Sequence, residues 1–165
     1  MAATTLSETG PAAALHFEIP GCSELLRDND PTTFWQSDGT QPHSITLQFP
    51  QLTEVQTVAL YLDYQQDESY TPKDLSIYAG HTTADLQKVL AYETEEPTGW
   101  VQLDLTEAHQ GPLSLFTLRI MICSNHQFGK DCHVRQVKVF APHRPLALDQ
   151  LRYTSLEFKM ASQIR

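Results

Sequence analysis

The chain has 165 residues, 41% of them hydrophobic, which is the length of one domain with enough apolar surface to bury a core. Eleven Lys and Arg stand against 20 Asp and Glu, a net charge of −9 that disfavours a broad grip on a phosphate backbone or an anionic membrane and favours a partner carrying Arg or Lys. The three cysteines are odd in number and sparse, so a disulfide scaffold is disfavoured, and no run approaches the roughly 18–20 apolar residues of a membrane span.

Residues 1–20 mix Ala, Thr, Gly and Pro without periodicity and are expected to form a flexible leader; they lack the basic start and apolar run of a secretory signal. A reduced compartment, nucleus and cytoplasm, is the expected location. Residues 21–142 alternate short apolar strips with turn residues. A short helix is expected near Ser23–Arg27. Ile45, Leu47 and Phe49 alternate with polar neighbours, as do Val58, Leu60 and Leu62, then Leu75, Ile77 and Ala79. A second short helix is expected within His81–Leu86. Val101, Leu103 and Leu105 follow Trp100, and Phe116, Leu118, Ile120 and Ile122 form the longest strip before Val137 and Val139. A period of two, not 3.6, predicts half-buried strands. Turns at Asp38-Gly39, Thr71-Pro72, Ala79-Gly80, Pro97–Gly99 and Gly111-Pro112 space them as in an antiparallel sandwich or jelly roll. The proline-rich APHRP (Ala141–Pro145) cannot continue a central strand, which sets residues 143–165 apart as an extended C-terminal tail with scattered apolar residues.

Three polar segments interrupt the strips. In FWQSDGTQPH (Phe34–His43), Trp35 is read as a core indole anchoring a loop lined by Ser37, Asp38, Gln41 and His43; simple turn chemistry accounts equally for Asp38 and Gly39. Trp100 is likewise read as core. In DESYTP (Asp67–Pro72), Asp67 and Glu68 suit a cationic side chain better than acid–base work, because adjacent loop residues diverge and stay solvated. Ser69 and Tyr70 add hydroxyls and a ring, against the alternative of a solvated loop pinned by Pro72. In CSNHQFGKDCH (Cys123–His133), the set Cys123, His126, Cys132 and His133 fits no standard zinc spacing, and Cys132 with His126 or His133 carries no mark of a thiol nucleophile. The segment is read instead as a loop bending at Gly129 and presenting Asn125, His126, Gln127, Lys130 and Asp131 to an extended peptide, with an ordinary hairpin loop as the plain alternative. Ile164 and Arg165 offer an apolar anchor, a guanidinium and an α-carboxylate to a pocket.

Taken together, LRDND (Leu26–Asp30), FWQSDGTQPH, DESYTP, EPTGW (Glu96–Trp100), NHQFGKDCHVRQ (Asn125–Gln136) and the final Ile-Arg closely resemble the DOC-domain core-subunit family of the anaphase-promoting complex (cyclosome). The motifs run in the family's order from about Leu25 to Phe140 and reappear at the terminus. PGCSELL (Pro20–Leu26) departs from the family's Gly-rich lead-in, and Cys132 stands where the family often has Thr or Ser. The resemblance implies a galactose-binding-domain-like jelly-roll β-sandwich with short helices, in an all-β chain whose DOC domain occupies residues 21–142. It implies a non-catalytic subunit of a cullin- and RING-containing E3 ubiquitin ligase, without cofactor or metal. With a WD40 coactivator, such a subunit forms a receptor for the destruction-box degron and raises the processivity of ubiquitylation. Carried over residue by residue, the degron-binding set is Ser37, Asp38, Gln41, His43, Asp67, Glu68, Ser69, Tyr70, Asn125, His126, Gln127, Asp131 and His133. The family's Ile-Arg tail docks on a TPR scaffold subunit, which Ile164 and Arg165 match. A carbohydrate- or small-ligand-binding module on the same sandwich is the alternative.

Overall fold

The computed structural model describes residues 14–19, 24–106 and 111–142. The docking pair Ile164 and Arg165, and the tail that carries it, lie outside the described residues. The strands are β1 (Trp35–Gln36), β2 (His43–Val55), β3 (Thr57–Asp63), β4 (Pro72–Gly80), β5 (Gln87–Glu93), β6 (Thr98–Asp104), β7 (Leu113–Asn125), β8 (His133–Val134) and β9 (Gln136–Phe140). One helix, α1 (Tyr64–Asp67), and three single 3₁₀ turns complete the described elements.

Two sheets face one another. The larger runs β2-β7-β4-β5, the smaller β6-β3-β9, and every ladder in them is antiparallel. Val55 ends β2 in the larger sheet and Thr57 starts β3 in the smaller, so the chain changes sheets across Gln56, whose N–H donates to the Phe140 carbonyl at 2.9 Å. The period-two strips form the core between them. Ile45, Leu47, Phe49, Leu75, Ile77, Leu118, Ile120 and Ile122 line one inner face, and Val58, Leu60, Leu62, Leu103, Val137 and Val139 line the other, all nearly inaccessible. Each such side chain is stabilised by roughly 1.5–3 kcal/mol on leaving water, so this interior dominates the energetics.

Several details differ from the sequence-based expectations. On β7 the inward phase slips, because the register against β2 shifts between Gln48 and Thr53. Leu115, not Phe116, enters the core, and the consecutive Thr117 and Leu118 are both buried. The expected helix in His81–Leu86 is a turn, with the Asp85 carboxylate accepting from the N–H of Thr82 at 2.6 Å. The expected helix near Ser23–Arg27 is a single 3₁₀ turn at Glu24–Leu26. Trp35 packs half-buried against the core, whereas Trp100 lies outside it at 41% exposure, edge-on to Tyr61 and beneath the Lys138 ammonium at 4.9 Å. Within the segment expected as a leader, Ala14 bridges to Phe140, Glu18 pairs with Gln48, and the Phe17 ring is buried against Phe49.

Candidate functional site

Both His43, at the start of β2, and Asn125, at the end of β7, stand at the same end of the larger sheet, since His43 pairs with Ile122 and Pro72 pairs with Asn125. Three connections therefore meet there: residues 37–42, residues 64–71 and residues 126–132. The middle one, expected as a loop, is helical. The Asp63 carboxylate caps α1 by accepting from the N–H groups of Gln65 and Gln66, and a 3₁₀ turn over Glu68–Tyr70 follows.

The 126–132 segment is fastened from several sides. The Gly129 carbonyl accepts from Gln41 Nε2 at 2.7 Å and from Asn125 Nδ2 at 3.3 Å. Asn125 Nδ2 also donates to the Asp131 carbonyl at 2.6 Å, and His43 Nε2–H donates to the Lys130 carbonyl at 2.7 Å. Ser37 and Cys132 exchange two bonds: the Cys132 N–H donates to Ser37 Oγ at 2.8 Å, and the Ser37 N–H donates to the Cys132 carbonyl at 2.9 Å. Ser37, His43 and Asn125 are almost wholly buried in these roles. Gly129 ends the turn over His126–Phe128, its N–H donating to the His126 carbonyl at 3.0 Å, and with an ordinary φ of −59° the demand on it is close approach. A Cβ built there would stand 1.7 Å from the Ser69 carbonyl oxygen, so the two loops touch backbone to backbone.

Beneath the loops lies a buried ion pair. Arg135 grips Asp67 as a fork, Nε to Oδ2 and Nη2 to Oδ1, both at 2.8 Å, with each side chain 5% exposed. Its hydrogen bonds to the Asp67 carboxylate hold the Arg135 guanidinium above its ordinary pKa. A third guanidinium nitrogen donates to the Pro31 carbonyl at 2.8 Å, and His133 Nδ1–H donates to Asp67 Oδ1 at 3.2 Å. The His133 ring is sandwiched between Phe34, at 4.1 Å, and Tyr70, at 4.3 Å, and both of those rings open to solvent. His126 packs against Tyr64 and donates through Nε2 to Thr94 Oγ1 at 3.2 Å, while Gln127 Nε2 donates to the Tyr64 hydroxyl at 2.9 Å.

The thirteen expected ligand residues thus gather at one end but divide into two groups. Ser37, His43, Asp67 and Asn125 face inward and organise main chain or Arg135. Asp38, Gln41, Glu68, Tyr70 and Gln127 are exposed, with Ser69, His126, Asp131 and His133 half-buried among them. Sequence reasoning missed Phe34 and Arg135. Phe34 opens the quoted motif, so its position was available; Arg135 gave no sign of burial, because a lone Arg after a strand residue is ordinarily solvated. Burial, and secondarily the Asp67 charge, push the Cys132 thiol well above its usual range, opposite to what a nucleophile needs. Cys123 instead lies exposed on β7 near Ser76, and His126 and His133 are engaged as above. Among the described residues no group of three or more His, Cys, Asp or Glu is placed to hold a metal ion, and no helix is long and apolar enough to cross a membrane.

The sandwich is similar to solved carbohydrate-binding modules. The family 32 CBM from C. perfringens NanJ, in complex with galactose, has a TM-score of 0.59 at 15% identity, covering 79% of this chain and 92% of that one. The CBM32 of AlyQ, in complex with 4,5-unsaturated mannuronic acid, has a TM-score of 0.61 at 15% identity, covering 79% and 98%. At such identity the likeness establishes the galactose-binding-like jelly-roll fold and nothing of ligand. Sequence relatives are far closer. "Anaphase-promoting complex subunit 10" of Homo sapiens is 40% identical over 143 residues, 86% of this chain and 77% of that protein. Its Schizosaccharomyces pombe counterpart is 44% identical over 145 residues, with the same coverage. A family model described as "Anaphase-promoting complex, subunit 10 (APC10)" matches residues 17–163, and on that match and these relatives the chain belongs to the anaphase-promoting complex subunit 10 family.

Proposed function

We propose that this chain is a non-catalytic subunit of the anaphase-promoting complex, an E3 ubiquitin ligase, in which it forms a destruction-box receptor together with a WD40 coactivator. In this reading it acts in nucleus and cytoplasm and prolongs each substrate encounter, so that more ubiquitin is added before release. The observation that carries the reading is the welded pair of loops. Gly129 against Ser69, with Gln41, His43 and Asn125 bonded to the carbonyls of Gly129–Asp131, gives a rigid platform whose outward groups are carboxylates, amides and aromatic rings. Such groups suit an extended peptide, and a preorganised platform loses little entropy on binding it. Ile164 and Arg165 are assigned to docking on a TPR scaffold subunit, which would place the platform beside the coactivator.

Reconstituted ubiquitylation of a destruction-box substrate tests this. The triple variant Glu68→Ala/Gln127→Ala/Asp131→Ala should stay in the complex yet attach fewer ubiquitins per binding event. Product lengths equal to wild type would refute the receptor role.

A further inference from the structure

Among the described residues Phe128 stands apart, because its ring is 101% exposed while the next large apolar side chain, Leu52, is at 53%. Its backbone is left-handed, with φ 60°, as is that of Gln127 at 52°. Left-handed backbone is uncommon for non-glycine residues and unusual for a bulky one, which lacks the short polar side chain that lets Asn settle there. Of the five non-glycine residues with positive φ in the described chain, Glu68, Gln127 and Phe128 all belong to the two touching loops. Strain concentrated at one place, and held there by surrounding structure, points to function. The holding is explicit, since Gly129, next in sequence, is fixed by Gln41, Asn125 and the N–H bond to His126 at 3.0 Å. A fully solvated ring contributes no packing to the fold, so its apolar surface is available to another molecule.

The surroundings define that molecule. Asp38, Glu68 and Asp131 bring three carboxylates to this end beside Lys130, while Lys73, next to Pro72, is paired with Glu93 at 3.2 Å, and Tyr70 and Phe34 add two further exposed rings. Asp67 is excluded from that count because Arg135 satisfies it. We propose that Phe128 is the apolar anchor of the platform and that the segment it receives is an extended peptide carrying an aliphatic side chain beside a Lys or Arg. This inference rests on the receptor reading and adds the chemistry of the bound segment. The ring covers the aliphatic group while carboxylates of the same platform receive the cation.

The test compares two substrates in the reconstituted complex, identical except that the aliphatic residue preceding a Lys in the degron is kept or replaced by Ser. Phe128→Gly should reduce processivity about 3- to 30-fold on the aliphatic substrate, as expected for partial burial of a ring, and have little effect on its Ser twin. The thermal midpoint should hold or rise, because Gly adopts this φ freely and no packing is lost. Phe128→Asn should behave the same way, which separates loss of the ring from added backbone freedom. A wild-type response from Phe128→Gly, alongside an impaired Glu68/Gln127/Asp131 triple variant, overturns the anchor and leaves the receptor reading standing. Wild-type behaviour of both variants overturns both. An equal loss on the two substrates, or a fall in thermal midpoint, overturns the aliphatic contact in favour of a role within the fold.

Discussion

Asp67 shows how far a residue's role depends on what lies behind it. Read along the chain, its carboxylate is a natural acceptor for a ligand's cation, yet the cation it meets is Arg135, in a two-pronged pair 5% exposed on each side. Removing one member of such a pair leaves a charge buried alone, which ordinarily costs about 3–5 kcal/mol. Asp67→Asn should therefore lower the thermal midpoint by roughly 6–20 °C for a domain of this size. Glu68→Ala, one residue on and exposed, should shift stability by at most about 0.5 kcal/mol. Thermal unfolding of the two variants side by side checks both. A second residue-scale prediction concerns acid. Asp28 is held below its usual pKa first by the Thr33 hydroxyl, at 2.6 Å, and Asp30 by the Thr32 hydroxyl, also at 2.6 Å. A carboxyl with a depressed folded pKa contributes stability above its unfolded pKa and loses it as pH falls through the folded one. The midpoint should thus decline as pH drops below about 4, and less steeply in Asp28→Asn/Asp30→Asn; parallel acid limbs would show that these two groups do not matter.

At the scale of elements, strands with one buried face were legible and irregular pieces were not. Period-two alternation marked β2, β3, β4, β6 and β9 because each buries alternate side chains in a single core. On β7 it held for Leu118, Ile120 and Ile122 and failed at Phe116, where four residues of β2, Phe49–Leu52, intervene between paired positions and shift the phase so that Leu115 is buried instead. It missed β5, an edge strand burying Val89 and half-burying Leu90, since an edge has little need of an apolar face. α1 is four residues long, too short for a 3.6 period to register, and exists because Asp63 caps it and tertiary contacts hold it. The three polar segments of the site were found by composition, but which side chains face outward follows from long-range partners such as Cys132 for Ser37 and Lys130 for His43, which no local pattern encodes. The Gly129–Ser69 contact belongs to the same class and yields the element-scale prediction. Gly129→Ala places a methyl 1.7 Å from the Ser69 carbonyl oxygen, so one loop must retreat. Overpacking of that kind costs typically 1–3 kcal/mol, with backbone as the obstacle favouring the upper part of the range. The variant should also lose processivity although it alters no outward side chain. A loss of stability without loss of processivity would mean that the two loops need not be locked together.

For the whole molecule, the platform is small compared with the task proposed for it. A few exposed side chains on two short loops cover part of a short extended peptide, and association must first offset lost translational and rotational freedom. The isolated chain should therefore bind a destruction-box peptide with a Kd on the order of 0.1–1 mM or weaker. The net charge of −9 aids encounter with a cationic segment, and salt screens that aid at longer range. Useful affinity must come from sharing: a peptide held at one end by a coactivator meets the platform at an effective concentration in the millimolar range, enough to raise overall avidity about 10²- to 10⁴-fold without a new contact. This gives Ile164 and Arg165 their consequence. If they fix the subunit to its scaffold, deleting them should abolish the processivity gain while leaving the millimolar affinity and thermal midpoint of the isolated chain unchanged, because geometry is lost and the platform is not. Titration of labelled peptide into the isolated chain, full length and shortened by two residues, followed by the same pair in the reconstituted complex, separates the two contributions. A submicromolar Kd for the isolated chain would refute the shared-receptor argument, and full processivity from the shortened chain would place the anchor elsewhere.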